Sequence, residues 1–211
     1  MRQRMTRSQR AVRSIAGIFA ALALLSGPVG RSTAAHAASA STPATIFVCH
    51  GYGCSFRSKL VLGPGDAAQF QSIMRAGASS PAAERAALKK AVQYFEERSY
   101  QIIGIRDRPK AAVVGARIKG QMDCIDESTN TTGFLHYLAN RGLLTFHTVG
   151  RKVSRGFFLD GRYPHWTAII VDKAGTRWVV DSWYSAGGGT PDIFPYEQWK
   201  VRGVLESGAL N

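Results

Sequence analysis

The stretch HWTAIIVDKAGTRWVVDSW, residues 165–183, decides the fold of this chain. Two runs rich in β-forming residues, 166–171 and 177–182, flank a short segment that ends in glycine. A three-residue loop with glycine at its left-handed position is a common hairpin connection, which would pair Asp172 with Thr176. The stretch therefore predicts an antiparallel hairpin.

The register of this hairpin places His165 and Asp181 on the same side. Thr167 then faces Asp181 directly, and His165 is the diagonal neighbour of that aspartate. Diagonal neighbours on one face lie about 7 Å apart at Cα, so an imidazole and a carboxylate could meet there. A one-residue change in the loop would put the two side chains on opposite faces, so this prediction depends on the register.

A second stretch, GQMDCIDE at residues 120–127, has the pattern of a helix start. Asp123 is a good N-cap, and Asp126 could reach back to it as in a capping box. Cys124 then occupies the first position of a helix that runs to about Asn140. Free amide groups and the helix dipole favour a thiolate at such a position. The acidic neighbours raise the pKa of a thiol, so a compensating cation is expected nearby.

These two stretches together predict a Cys-His-Asp triad. Cys124 is the expected nucleophile, and His165 takes its proton and later protonates the leaving group. Asp181 orients the imidazole and holds its charge. The side-chain amide of Gln121, just before the helix, is a more speculative donor to the oxyanion.

Other assignments remain open at this point. His50 is the strongest rival for the base, because it lies in a loop with two cysteines. His147 sits in a strand-like run, and His136 lies twelve residues along the Cys124 helix, too far to reach its start. Asp181 could also end a strand and cap a turn.

The three cysteines divide into a close pair and a single residue. Cys49 and Cys54 are separated by a segment with two glycines, so a small disulfide loop is predicted between them. Cys124 then lacks a partner, and catalysis is one reason for an odd thiol in an exported protein. A buried inert Cys124 is the plainer reading of that residue. A metal site that adds His50 to the pair is a weak alternative.

The remaining chain predicts a short strand at Thr45–Val48 that leads into the cysteine loop, then helices, and an antiparallel sheet after them. Helices are expected from near Ala67 to Gly77 and from Pro81 onward, the second capped by Ser80. Residues 101–120 and 150–164 are predicted to be irregular, and 144–149 to form a strand. A last short helix is expected to begin near Pro195. The fold class is therefore α+β.

The first forty residues have the composition of a secretory signal. An arginine-rich start, a short apolar run and Ala-x-Ala sequences predict a signal peptide at 1–40, followed by one domain at 41–211. An uncleaved membrane anchor is the alternative. Residues 41–211 carry 21 basic and 14 acidic residues, without the basic-aromatic pattern of nucleic-acid binding. A periplasmic or secreted protein with no membrane span after cleavage is expected.

Three short motifs resemble those of a known group of enzymes. They are MDCID at 122–126, PHW at 164–166 and VDSW at 180–183. Their order and spacing resemble the transglutaminase-like superfamily, and the chain is most similar to its bacterial transglutaminase-like cysteine proteinases. The resemblance implies a papain-like α+β fold, with N-terminal helices packed on an antiparallel sheet, and thiol chemistry on amide bonds.

The resemblance also bears on metal binding. Some relatives place a carboxylate directly after the nucleophile and hold calcium beside it. This chain has Ile125 there, which argues against a calcium site formed by Asp123 and Asp126. No cofactor is expected.

The expected function is a cysteine peptidase or amidase that acts on a peptide or protein through a thioester. A transglutaminase that transfers the acyl group to an amine is the nearest rival. A non-catalytic module that binds peptide or glycan is the second hypothesis. Its groove would be lined by some of the aromatic residues Trp166, Trp178, Trp183, Tyr184 and Trp199, at least half of which are expected to pack in the core.

Overall fold

A computed structural model describes residues 42–109, 115–156 and 164–202. The elements in chain order are β1 Ala44–His50, β2 Phe56–Leu62, α1 Pro64–Arg75, α2 Pro81–Ile103, α3 Cys124–Asn140, β3 His147–Val149, β4 Val153–Arg155, β5 His165–Asp172, β6 Arg177–Val180 and α4 Tyr196–Val201. The predicted α+β class is confirmed. The predicted signal peptide lies outside the described residues. Among the described helices, none has the length and apolar character needed to cross a membrane.

The first described elements, β1 and β2, form an antiparallel hairpin that the sequence predicted only in part. β1 was predicted, but its partner β2 was missed, so the expectation that helices precede the sheet is wrong at this end. Leu60 and Leu62 are buried while Val61 between them is exposed. This alternation is the period of a half-buried strand. The two basic residues in the strand, Arg57 and Lys59, obscured it.

The two N-terminal helices follow the predicted pattern. The Ser80 hydroxyl accepts a hydrogen bond from the Ala83 N–H at 3.1 Å, which caps α2. The stripe that includes Leu88 and Val92 is fully buried. α2 ends at Gly104, whose φ of +69° is the left-handed conformation in which glycine ends a helix. α1 begins at Pro64, earlier than expected, because Asp66 accepts the Gly63 N–H at 2.9 Å.

The second sheet is organised around β5. Ala168 pairs with Val180 and Val171 with Arg177, which confirms the predicted hairpin register. On the opposite edge, β3 and β4 pair with successive parts of β5. β4 lies within a segment predicted as a loop, so that prediction was wrong. The strand expected at 144–149 is shortened to β3.

The two faces of β5 and β6 pack against different parts of the chain. Ala168, Ile170 and Val180 join the main core, which also contains buried residues of α1, α2, α3 and the first hairpin. Ile169 and Val179 pack with Trp199 of α4 on the other face. Alternation along each strand assigns His165 and Asp181 to this second face.

Candidate active site

Helix α3 begins with the capping box that the sequence predicted. Asp123 Oδ1 accepts the Asp126 N–H at 2.9 Å, and Asp126 Oδ2 accepts the Asp123 N–H at 3.5 Å. Cys124 is the first residue of the helix and is 7% exposed. The thiol is therefore held at a helix N-terminus by interactions of its immediate neighbours.

A small disulfide loop fixes this helix start from the side. Cys49 and Cys54 form the predicted disulfide, and Cys124 is free. The four residues 51–54 all have positive φ, between +60° and +84°. This backbone turns successive N–H groups toward α3, where Tyr52 and Cys54 donate to Asp126 at 2.8 and 2.5 Å. The loop thus binds the capping carboxylate of the Cys124 helix.

The contacts of the loop also bear on the metal hypotheses. Asp123 accepts the Gly53 N–H at 3.1 Å as well as its capping bond, so both carboxylates are engaged by backbone amides. In the described part of the chain, the group with ligand spacing is Cys49, Cys54 and Asp126, and its two sulfurs are bonded to each other. These residues do not offer the open carboxylate oxygens that calcium prefers.

His50, the rival base, is fully buried and engaged at both ring nitrogens. Its Nε2 is 3.0 Å from Ser58 Oγ, and its Nδ1 accepts the Gly120 N–H at 3.3 Å. Burial lowers the pKa of this imidazole, with a further contribution from the positive charge of Lys119. His50 therefore stabilises the loop as a neutral side chain and has no nitrogen left for a thiol.

His165 and Asp181 meet on the α4 face of the second sheet. His165 Nε2 lies 2.8 Å from Asp181 Oδ2, and both side chains are buried. The same carboxylate accepts the Trp199 indole N–H at 2.8 Å and the Trp183 N–H at 3.3 Å. The ring centres of Trp183 and Trp199 lie 4.8 and 5.6 Å from the centre of the His165 imidazole. This enclosure fixes the orientation of the histidine.

The Cys124 sulfur approaches β5 at its first residues. It lies 4.0 Å from the Pro164 carbonyl oxygen, and the Trp166 N–H donates toward it. The sulfur is thus in contact with the backbone on both sides of His165. The Nδ1 atom of His165 is buried and has no hydrogen-bond partner among the residues that the structure describes. No direct hydrogen bond joins the Cys124 thiol to the His165 imidazole. Such contacts are often long in catalytic sites that hold no substrate, so this arrangement is compatible with a nucleophile and its base.

The resting thiol is neutral, contrary to the effect expected of a helix terminus. Burial raises the pKa of Cys124 to about 11, and the negative charges of Asp123 and Asp181 add to this effect. The N–H groups of Trp166 and Cys124 itself oppose the rise but do not offset it. Formation of the nucleophile therefore requires a base that takes the proton as the reaction proceeds.

The other residues singled out in the sequence, Gln121, His136 and His147, lie in three different environments. Gln121 donates its side-chain amide to the Arg106 carbonyl at 3.5 Å, and its own carbonyl accepts the Gly51 N–H at 2.6 Å. Its role toward an oxyanion stays a prediction. His136 is exposed on α3. His147 is buried in an ion pair with Glu84 at 2.8 Å.

A carboxyl cluster behind the site was not foreseen. It consists of Glu96, Asp107 and Glu127 on separate segments. Burial raises the pKa of Asp107 to about 6 and that of Glu127 well above its usual value, where neighbouring carboxylates contribute. Asp107 Oδ1 accepts the Met122 N–H at 2.8 Å, while Asp107 Oδ2 and Glu127 Oε2 are buried without a hydrogen-bond partner among the described residues. Acidic residues from distant segments carry no local pattern that predicts their meeting.

This carboxyl cluster anchors the glycine-rich loop that follows Asp181. Glu96 accepts the Gly188 N–H at 2.7 Å. The Gly187 N–H donates to the Asp107 carbonyl at 3.1 Å. Gly187 lies so close to this backbone that an added Cβ would be 2.9 Å from the Asp107 nitrogen. The cluster therefore positions the loop on which Asp181 depends.

Comparisons with protein-family models, curated proteins and solved structures found no match to this chain.

Proposed function

We propose that the chain is an exported cysteine hydrolase of the transglutaminase-like kind, which cleaves a peptide amide bond through a thioester. One observation carries this proposal. A free thiol at a helix N-terminus lies against the backbone on both sides of a histidine whose far nitrogen is bonded to a buried carboxylate. His165 retains one free ring nitrogen, which is the atom that a general base needs.

The first half of the reaction forms the acyl-enzyme. His165 Nδ1 takes the proton of the Cys124 thiol as the sulfur attacks the amide carbonyl carbon. The N–H groups of Cys124 and Trp166, which both lie near the sulfur, are candidate donors to the oxyanion. The imidazolium then gives its proton to the leaving amine, the C–N bond breaks and a thioester remains.

The second half regenerates the thiol. His165 removes a proton from water, which attacks the thioester carbonyl, and the C–S bond breaks. The product is a free carboxylic acid, and the proton returns to the sulfur. Asp181 stays ionised and stabilises the imidazolium in both halves. The Trp199 indole N–H holds this carboxylate in place.

The proposal is tested with a peptide library from a bacterial proteome digest. The purified protein is incubated with the library, and new peptide termini are identified by mass spectrometry. Cleavage by the wild type and none by Cys124→Ala is expected. Addition of putrescine separates hydrolysis from acyl transfer, since transfer would leave the amine attached to the new carboxyl terminus.

Alkylation with iodoacetamide gives an independent measurement. We expect Cys124 to be the labelled cysteine, since Cys49 and Cys54 are bonded to each other. Equal cleavage by wild type and Cys124→Ala would contradict the proposal. An inert Cys124 in a protein that binds peptides would instead favour a non-catalytic module.

A further inference from the structure

An open pocket runs along the outer face of α3. Its volume is about 490 Å³, within the usual range of ligand sites. Helix α3 forms one wall, and the segment that joins β3 to β4 forms the other, together with the first part of β5. We call it the α3 pocket. The residues that line it are Thr129, Thr132, His136, Val149, Gly150, Arg151, Lys152 and Trp166.

Helix α3 and strand β5, which contribute to the two walls of the α3 pocket, both begin at the candidate active site. Thr129, Thr132 and His136 follow Ile125 at spacings of four, three and four residues, which is one face of a helix. Ile125 directly follows Cys124 and is 37% exposed. On the other wall, Trp166 lines the pocket and its backbone N–H donates toward the Cys124 sulfur, although strand alternation turns its side chain away from that of His165. The backbone of Trp166 therefore connects the pocket to the thiol, and a peptide held there would lie within reach of the pocket.

The charge of the α3 pocket is positive. Arg151 and Lys152 line it, and its described lining contains no carboxylate. Lys152 Nζ donates to Thr129 Oγ1 at 2.7 Å and lies 5.5 Å from the centre of the Trp166 ring. Arg151 is exposed and has no ion pair or hydrogen bond with any described residue. Two cations without a carboxylate partner are suited to an anionic ligand.

We propose that the α3 pocket binds an acidic side chain of the substrate, two to five residues from the scissile bond. This inference rests on the proposed function. Thr129 and His136 lie five and twelve residues beyond Cys124, or about 8 and 18 Å along the helix axis. An extended peptide advances about 3.4 Å per residue, so these distances correspond to about two to five positions.

The cleavage sites in the peptide library test this specificity. We expect Asp and Glu to be enriched at one or more of these positions around the cleaved bonds. In the double variant Arg151→Gln/Lys152→Gln, this enrichment should fall at least about fivefold, because a charge-assisted contact to carboxylate is lost. The single variant Arg151→Gln, which keeps the Lys152–Thr129 hydrogen bond, should show a partial loss. No enrichment, or enrichment equal in wild type and double variant, would overturn the proposal.

The matched control is the double variant Arg75→Gln/Lys90→Gln. It removes the same charge from exposed positions on α1 and α2, which do not line the pocket. We expect it to retain the acidic preference of the wild type. A loss of preference equal to that of the pocket variant would show a general charge effect and overturn the site.

A binding measurement separates the pocket from catalysis. Fluorescein-labelled GGEEGEEGG and GGQQGQQGG are titrated against Cys124→Ala by fluorescence anisotropy. We expect the acidic probe to bind at least about fivefold more tightly, and added salt or the Arg151/Lys152 substitutions to remove the difference. Equal binding of both probes would overturn the pocket. Charge-dependent binding by a protein that cleaves no library peptide would overturn the proposed function alone.

Discussion

The chain contains two buried histidine–carboxylate pairs with the same distance. His147 Nδ1 and Glu84 Oε1 are 2.8 Å apart, as are His165 Nε2 and Asp181 Oδ2. Both imidazoles are fully enclosed. One pair joins α2 to β3, and the other lies beside the Cys124 thiol. The distance between the two partners therefore does not distinguish a structural pair from the pair proposed here to be catalytic.

The first pair is saturated with hydrogen bonds. Glu84 accepts the N–H groups of Thr145, Phe146 and His147 in addition to the imidazole. The second ring nitrogen of His147 is 3.3 Å from Arg85 Nη1. Although burial opposes the shift, these hydrogen bonds hold the pKa of Glu84 below its usual value. This pair fixes the polypeptide at the start of β3.

The second pair leaves one atom unused. Asp181 accepts hydrogen bonds from Trp199 and Trp183, but in the described part of the chain Nδ1 of His165 has no partner. A buried nitrogen without a hydrogen bond costs free energy, on the order of 1–3 kcal/mol. Such a cost at a site beside a free thiol points to function. The two histidines differ in the second ring nitrogen, and not in the contact that each makes with its carboxylate.

Removal of the thiol tests this difference most severely. Cys124→Ala should lower peptide cleavage by about 10⁴-fold or more, because the nucleophile is lost. The free energy of unfolding should change by no more than about 1–2 kcal/mol, because one small side chain is trimmed. Cleavage is followed with the library and stability by chemical denaturation.

The carboxylate variants compare the two pairs directly. Asp181→Asn should reduce the cleavage rate by about 10²–10⁴-fold, because an amide cannot stabilise the imidazolium and favours the wrong tautomer. Glu84→Gln serves as the control, and a similar loss of cleavage per folded molecule in that variant would contradict the comparison.

Glu84→Gln should instead change stability. A glutamine side chain has one acceptor oxygen where glutamate has two, so some of the buried N–H groups would lose their acceptor. The free energy of unfolding should therefore fall by on the order of 3 kcal/mol. Urea denaturation measures this change. A loss below about 0.5 kcal/mol would show that the saturated pair contributes little to the fold.

Trp199→Phe removes one hydrogen bond from Asp181 and keeps an aromatic ring packed against Ile169 and Val179. We expect a loss of about three- to tenfold in cleavage rate, because the carboxylate is held less firmly. The position of the acid limb in the pH–rate profile should shift as well. A variant with an unchanged profile and rate would restrict Trp199 to packing.

The last prediction concerns the dependence of stability on pH. Burial raises the pKa of Asp107 and of Asp126 to about 6, from 3.8. At a pH between the two pKa values, the folded protein binds more protons than the unfolded chain. The free energy of unfolding therefore rises as pH falls from 7 toward 5. The rise should be on the order of 2 kcal/mol and should shrink in Asp107→Asn. Below about pH 4, protonation of Glu84 reverses the trend, since its pKa is lowered by folding.

Denaturation curves at pH 7.5, 6 and 5 check this dependence. Stability that decreases steadily over this range would contradict the raised carboxyl pKa values.

Much of the fold follows from short stretches of sequence. Ser80 and Pro81 predicted the start of α2, and Asp123 with Asp126 predicted the start of α3, because helix capping involves residues three positions apart. The hairpin register followed from one glycine-containing loop. Two strands were missed. β2 carries Arg57 and Lys59, and β4 has only three residues. Each relies on the strand with which it pairs to complete an apolar face.

The candidate site also has features that the sequence predicted and features that depend on tertiary packing. The sequence by itself determined that Cys124 begins a helix, that Cys49 pairs with Cys54, and that His165 and Asp181 share a face. Only the tertiary structure decided which histidine has a free nitrogen. Glu84 and His147 are 63 residues apart, and the Trp199 donor is 18 residues beyond Asp181. Local periodicity and turn chemistry extend over a few residues, so contacts at such separations depend on how the elements pack.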